Sequence, residues 1–307
     1  MHFFLRSLAT ALVAFPLLSS AQQAVAVQTH SIYPPYIDQE LQSRWWDFGG
    51  DAVINTMKYV RLTSDQPSQH GWLWSRLPLT SPNFEIEVEF QVTNNHNSHL
   101  SGDGFGLFLT TERAETGNAF GFNEKFEGLG IFFDTYQNAH DYKHGYPFVM
   151  AMLGDGKTTY DHDQDGSTNA LALCEADIQG TENPIKAKLS YYRGEYLEVL
   201  LQYAPEEEWI QCFEISNVTL PSMPYLGFSA QTGDVSGNHD ILSISTHSIV
   251  SPGGHPMVKQ HVLKRVHRFT FPRLSWSFFM KLTVLGALVA AAVLYYQRQK
   301  DESMKRF

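Results

Sequence analysis

From Phe84 to Phe90 apolar and acidic side chains alternate without a break: Phe84, Ile86, Val88 and Phe90 fall on one face of a strand, Glu85, Glu87 and Glu89 on the other. That period of two recurs from Trp45 to Val250 and rules out a helical domain over this span. Phe105, Leu107 and Leu109 form a second such strand, and Leu129-Gly130-Ile131-Phe132-Phe133 reads as one buried on both faces. Met57–Leu62, Phe148–Leu153, Ala187–Tyr192, Tyr196–Tyr203, Trp209–Phe213, Tyr225–Gln231 and Ile241–Ile249 are further candidates. More than ten strands separated by Gly, Asn, Asp and Pro turns, with no crossover helices, predict an all-β antiparallel β-sandwich of the jelly-roll sort. Trp45, Trp46, Trp72, Trp74 and Trp209 are expected to serve mainly as core.

The flanks carry different signals. Residues 1–21 place Arg6 before an apolar stretch that ends Ser19-Ser20-Ala21, the layout of a secretory signal peptide cleaved near Gln22. Phe278 to Tyr296 is a run of nineteen residues interrupted by Lys281 and Thr283. As a helix it is long enough to cross a bilayer, with Lys281 snorkelling and Tyr295 and Tyr296 in the opposite headgroup layer. The expected organisation is a signal peptide at 1–21, a lumenal domain at 22–250 and a Pro/Gly-containing stalk at 251–277. A transmembrane helix at 278–296 and a cytosolic tail at 297–307 follow. Basic residues flank the apolar run on both sides, so orientation follows from the signal peptide: type I, with the N-terminal domain lumenal.

The net charge of −10 conceals a split, because all but two of the 32 acidic residues but only half of the 22 basic ones lie in 22–250. A domain so acidic does not bind nucleic acid, which requires a basic surface. Cys174 and Cys212 are the only cysteines, and an oxidising compartment favours a disulfide between them. In the chain-entropy picture such a bridge stabilises by about 3–4 kcal/mol. Asn217-Val218-Thr219 is the one N-glycosylation sequon.

The chemistry concentrates in two polar segments. Asp134-Thr135-Tyr136-Gln137-Asn138 follows a very hydrophobic strand and is answered by Asp161-His162-Asp163-Gln164-Asp165. Oxygen donors at alternating positions suit calcium, which takes six to eight oxygens from carboxylates, amides and backbone carbonyls. Gly102-Asp103-Gly104 and Gly233-Asp234-Val235 are Gly/Asp turns that can bring a carboxylate and backbone N–H groups to a polar ligand. Together they point to calcium-dependent binding of a hydroxyl-rich molecule. His162 stands among these candidate ligands, which favours a functional imidazole over a solvated one.

Trp46-Asp47-Phe48-Gly49-Gly50, Tyr59-Val60-Arg61-Leu62-Thr63, Gly102-Asp103-Gly104, Gly128 to Tyr136, Tyr160-Asp161-His162 and Thr232-Gly233-Asp234 occur in an order that resembles the L-type lectins of the animal and fungal secretory pathway. The pattern, from about Ser31 to Val250, is most similar to the VIP36 and VIP36-like branch of that cargo-receptor family. The resemblance implies a legume-lectin-like sandwich with Ca2+ as its metal. Asp134, Asn138 and Asp165 would give side-chain oxygens to the ion, and Tyr136 its backbone carbonyl. Asp103, Asn138, His162, Ser68, Gly233, Asp234 and Val235 would contact mannose; the branch usually has Leu where this chain has Val235. The peptide bond before Asp103 is cis in related lectins.

The implied function is binding of high-mannose N-glycans carrying a free α1,2-mannose arm, in ER–Golgi transport or quality control. The membrane would be that of the ER, the intermediate compartment or the Golgi. The terminal Lys305-Arg306-Phe307 resembles endings that engage vesicle coat proteins, but the chain lacks the dilysine arrangement and the final Tyr of its branch. Acidification is expected to release both ion and sugar, since protons compete for carboxylates and remove the imidazole lone pair.

Two rival functions keep the same fold. A jelly-roll glycoside hydrolase would use carboxylates such as Glu85, Glu87 and Glu89, although a solvated strand face explains them as well. A membrane scaffold with a vestigial sugar site would dispense with the calcium ligands, and the candidate ligands are all present.

Overall fold

Alternation becomes architecture in two antiparallel sheets packed face to face. The computed structural model describes residues 23–94, 100–139, 145–203 and 208–250. The expected signal peptide, stalk, apolar run and tail lie outside the described residues. Among the described residues no helix is long and apolar enough to cross a membrane.

The strands are β1 (Gln23–Ala26), β2 (Trp46–Gly50), β3 (Val53–Asn55), β4 (Tyr59–Thr63), β5 (His70–Ser75), β6 (Asn83–Thr93), β7 (Gly104–Thr110), β8 (Glu127–Asp134), β9 (Phe148–Asp155), β10 (Ala172–Glu175), β11 (Ile185–Tyr192), β12 (Tyr196–Gln202), β13 (Ile210–Ser216), β14 (Tyr225–Gln231) and β15 (Asn238–Val250). One sheet runs β13-β12-β11-β6-β15-β4-β3, with β1 also paired to β15; the other runs β10-β9-β8-β7-β14-β5-β2. The expected sandwich is present, and helical structure among the described residues is limited to two single 3-10 turns.

Several bounds differ from expectation. β4 starts at Tyr59 rather than Met57, because Asn55 to Lys58 close a hairpin with Lys58 N–H bonded to Asn55 O. β13 starts at Ile210 rather than Trp209 and continues to Ser216. β15 begins three residues before Ile241: Asn238, His239 and Asp240 are buried there because each has a partner, Asp240 the Arg61 guanidinium at 2.7 Å.

Between the sheets lies a core to which β6 contributes Phe84, Ile86, Val88 and Phe90, facing Phe105, Leu107, Ile131 and Phe133 from β7 and β8. Glu85, Glu87 and Glu89 alternate outward; Glu87 pairs with Lys186 at 3.0 Å and Glu89 accepts from Ser243. The second sheet is covered on its other face as well. Trp74, Phe108, Phe132, Phe148, Met150 and Met152 pack there against Phe120, Phe122, Phe126 and Tyr160, which come from the connections after β7 and β9.

Glycines make room for these rings. A Cβ at Gly227 would meet the Trp74 ring at 2.2 Å, and one at Gly106 would meet the Phe108 ring at 2.5 Å. Cys174 of β10 and Cys212 of β13 form the expected disulfide, tying an edge of one sheet to an edge of the other with their Cα atoms 5.3 Å apart.

Candidate functional site

The polar ends of four neighbouring strands make the site. Cα pairing aligns His70 of β5 with Gln231 of β14, Gln231 with Gly104 of β7, and Gly104 with Asp134 of β8. These positions share the doubly covered sheet's outer face with Trp72, Trp74, Phe108 and Phe132, so the row is the open continuation of the aromatic core. There the aromatic cover stops and a cavity of about 300 Å³ opens, lined by Asp103, Asn118, Phe120, Asp134, Asn138, Tyr160, His162 and Gln231.

Asp103 sits at the start of β7 after a cis peptide bond from Gly102. Its N–H bonds Gln231 O at 3.0 Å and its carbonyl accepts from Thr135 N at 3.0 Å, so it is fixed to both neighbouring strands. Burial pushes its carboxyl up to about 6, against a backbone hydrogen bond from Gly233 that lowers it. Asp134 ends β8 almost fully buried and accepts from Tyr136 N at 3.1 Å. Burial raises its carboxyl well above the usual range, and the charges of Asp165 and Asp103 add to that while the Tyr136 N–H opposes it.

Asp165 arrives from the other segment, in a left-handed conformation (φ 48°) that ends the 3-10 turn of His162–Gln164. Its carboxylate accepts from Asn138 N at 3.1 Å, Asn138 Nδ2 at 2.9 Å, Ala139 N at 2.8 Å and the Tyr146 hydroxyl. The two polar segments singled out in the sequence are thereby stitched together. His162 lines the cavity edge-on to Tyr160, ring centroids 4.8 Å apart, and its Nε2 is buried with no hydrogen-bond partner.

These residues fit a hard dication. Among the described residues neither Asp134 nor Asp165 has a basic partner, so two nearby buried carboxylates stand without a compensating charge. No group of three or more His, Cys, Asp or Glu side chains suited to a metal occurs among the described residues. The available donors are instead two carboxylates with the Asn138 amide and the Tyr136 carbonyl, an oxygen set of the kind calcium accepts.

The other sequence-predicted contacts lie on a neighbouring pair of loops. Ser68, left-handed at φ 59°, donates its N–H to Gly233 O at 3.2 Å. Thr232 locks the two loops: its hydroxyl donates to Gln66 O at 2.7 Å and accepts from Gln69 N at 2.9 Å. Ser236 adds a bond to Asp65 at 2.6 Å. A Cβ on Gly102 would lie 3.3 Å from Val235 O and 3.2 Å from Tyr136 Cβ, which brings the Gly233-Asp234-Val235 loop beside the carboxylate cluster. Asp234 is exposed and Val235 half-buried.

Asp103, Asp134, Asn138 and His162 thus share the cavity, Tyr136 and Asp165 flank it, and Ser68 with residues 233–235 form the adjoining loop pair. Asn118, Phe120, Tyr160 and Gln231 were not among the expected site residues, and no ligand-like spacing marks them. Glu85, Glu87 and Glu89 lie on the other sheet and contribute nothing to the cavity. Asn217 is exposed in the turn after β13, outside the strand.

A family model described as the legume-like lectin family matches residues 23–255. An L-type lectin-like domain-containing protein of Schizosaccharomyces pombe is 35% identical, over 90% of this chain and 89% of its own length. The vesicular integral-membrane protein VIP36 of Mus musculus is 34% identical, over 91% of this chain and 83% of its own. The VIP36 exoplasmic/lumenal domain, solved in a Ca2+/Man2-bound form, superposes with a TM-score of 0.70 at 33% identity, covering 77% of this chain and 94% of that one. With the sandwich, the joined polar segments and these matches in agreement, the chain belongs to the legume-like lectin family.

Proposed function

We propose that this protein is a calcium-dependent lectin for high-mannose N-glycans, acting as a cargo receptor or quality-control lectin between the ER and the Golgi. The observation that carries the reading is the convergence of Asp103, Asp134, Asn138 and His162 on one cavity beside Asp165. Asp134, Asn138 and Asp165 would hold the ion with the Tyr136 carbonyl, and the ion would offset their charge and draw in sugar hydroxyls. Asp103 and Asn138 would accept and donate to the same saccharide, and His162 Nε2, lacking a protein partner, would take a further hydroxyl. Ser68, Gly233, Asp234 and Val235 would contact the next saccharide unit along the glycan.

Relatives support the ligand class: VIP36 has been solved in Ca2+/Man2-bound and Ca2+/Man3GlcNAc-bound forms. A type I membrane topology, coat recognition by the cytosolic tail and glycosylation at Asn217 complete the proposal. No enzymatic step is assigned, since the glutamates that suggested a hydrolase face outward on the other sheet.

The decisive experiment is a glycan array probed with the full-length chain, with calcium and with EDTA. Oligomannose capture that disappears with the chelator is the expected result. Capture that survives EDTA removes calcium from the proposal, and no oligomannose capture in calcium removes the lectin.

A further inference from the structure

We propose that Gln231 is a saccharide contact in this cavity, forming with Asn118 a subsite for a second hexose unit on the side away from the metal loops. This deepens the lectin reading and rests on it. Gln231 ends β14, two strands from Asp134 with Gly104 between them. Two strand spacings put their backbones about 10 Å apart, too far for one hydroxyl to bridge. Gly104 contributes no side chain to that gap: a Cβ there would lie 2.2 Å from Phe133 O and 3.0 Å from the Phe120 ring. No side chain of β7 therefore stands between the carboxylates and Gln231, and the buried Phe120 ring packs over Gly104 there.

The wall is built to be rigid. Phe120 is stacked on Phe132, ring centroids 5.1 Å apart at 23°, and its carbonyl is held by Ser229 Oγ at 2.8 Å. Asn118 is held by its amide, which donates to Glu124 at 2.6 Å. Gln231 has its backbone locked between β5 and β7, and its carbonyl accepts from Asp103 N. Its side chain lines the cavity half-exposed, with no hydrogen-bond partner among the described residues.

A carboxamide presents a donor and an acceptor in one plane, which suits two adjacent sugar hydroxyls, one accepting and one donating. The ligand these groups fit is a disaccharide: one unit at Asp103 and Asn138, the other against Gln231 and Asn118.

The test is calorimetry on the full-length chain in detergent with saturating calcium, using methyl α-mannoside and the α1,2-, α1,3- and α1,6-linked mannobioses. Gln231→Ala is expected to leave the monosaccharide affinity and the calcium affinity unchanged and to weaken at least one mannobiose about three- to tenfold, the scale of one neutral hydrogen bond. Asn118→Ala should weaken the same disaccharide. An unchanged affinity of Gln231→Ala for every mannobiose overturns the subsite and leaves the lectin reading intact. Equal losses on monosaccharide and disaccharide also overturn it, since Gln231 would then act on the primary position. Wild-type protein that binds none of these sugars overturns both.

Discussion

The outward faces of the two sheets obey different rules. On β6 every second residue is a half-buried polar side chain, with Glu87 against Lys186 and Glu89 against Ser243, and the face is wet. On β7, β8 and β14 the equivalent positions are mostly glycines and aromatics, with the buried hydroxyls of Thr110 and Ser229, roofed by Phe120, Phe122 and Phe126. Carboxylates on the first face are solvated and inexpensive. On the second they appear only where the roof ends, and there burial lifts Asp103 to about 6 and raises Asp134 well above its ordinary range. A dry sheet makes bare carboxylates costly, and so makes a site where a dication is worth binding.

The sharpest way to break this comparison is Asp134→Asn. It should reduce calcium-dependent mannose affinity by at least about a hundredfold, because a charged ligand of a buried ion is lost. The same variant should melt at a higher temperature than wild type in EDTA, since the carboxylate it removes is held above its ordinary range by burial and by Asp165. Calorimetry and a melting curve check both, and a lower melting temperature in EDTA would contradict the idea of an uncompensated charge.

Gly227→Ala places a methyl into the Trp74 ring and should cost about 1–3 kcal/mol in urea unfolding. A stability within error of wild type would show that the aromatic layer is loosely packed. Thr232→Val removes both bonds of the loop clip and should weaken oligomannose binding about tenfold, with calcium affinity unchanged and binding restored by Thr232→Ser. Equal loss in the serine variant would show that methyl packing matters and the hydroxyl does not.

A pH series sharpens the electrostatic side. An ionised Asp103 accepts sugar hydroxyls and a protonated one accepts less well, so affinity should fall as pH drops through about 6. A nearby dication favours the ionised form, so the midpoint should move to lower pH as calcium is raised. Affinity measured from pH 7.5 to 5 at two calcium concentrations tests this, and a midpoint moving upward would reject it. The smallest effect is expected of Glu87→Gln, within about 0.5 kcal/mol in stability because its ion pair is half solvated, and with sugar affinity unaltered.

Both sheets were legible in part, the dry one through the hydrophobic runs of β7, β8, β9 and β14. On the wet sheet alternation marked β6, β11 and β15, because one buried face and one solvated face write themselves into every second residue. β5 was not foreseen: His70-Gly71-Trp72-Leu73-Trp74 lacks alternation because both of its faces are covered. β1, β2, β3 and β10 are three to five residues long, too short for a period to register.

At the site, the carboxylates, Asn138 and His162 stood out because ligand-type residues clustered in two segments, and the lectin resemblance joined them. Asn118, Phe120 and Gln231 were invisible for the opposite reason. A lone amide or aromatic in a polar turn or at a strand end acquires meaning only when the loop after β7 folds back over Gly104.

Consider finally β15, which leaves the Thr232–Gly237 loop at Asn238 and runs thirteen residues to Val250, paired with Gln23 of β1. At about 3.3 Å per residue it carries the chain roughly 40 Å from the cavity mouth before the described residues end. Gln23 and Val250, the first and last described residues, therefore pair at the pole opposite the mouth. A molecule reaching the mouth therefore meets the domain at the end farthest from Val250, and the closing pair of β1 and β15 takes no part in receiving it.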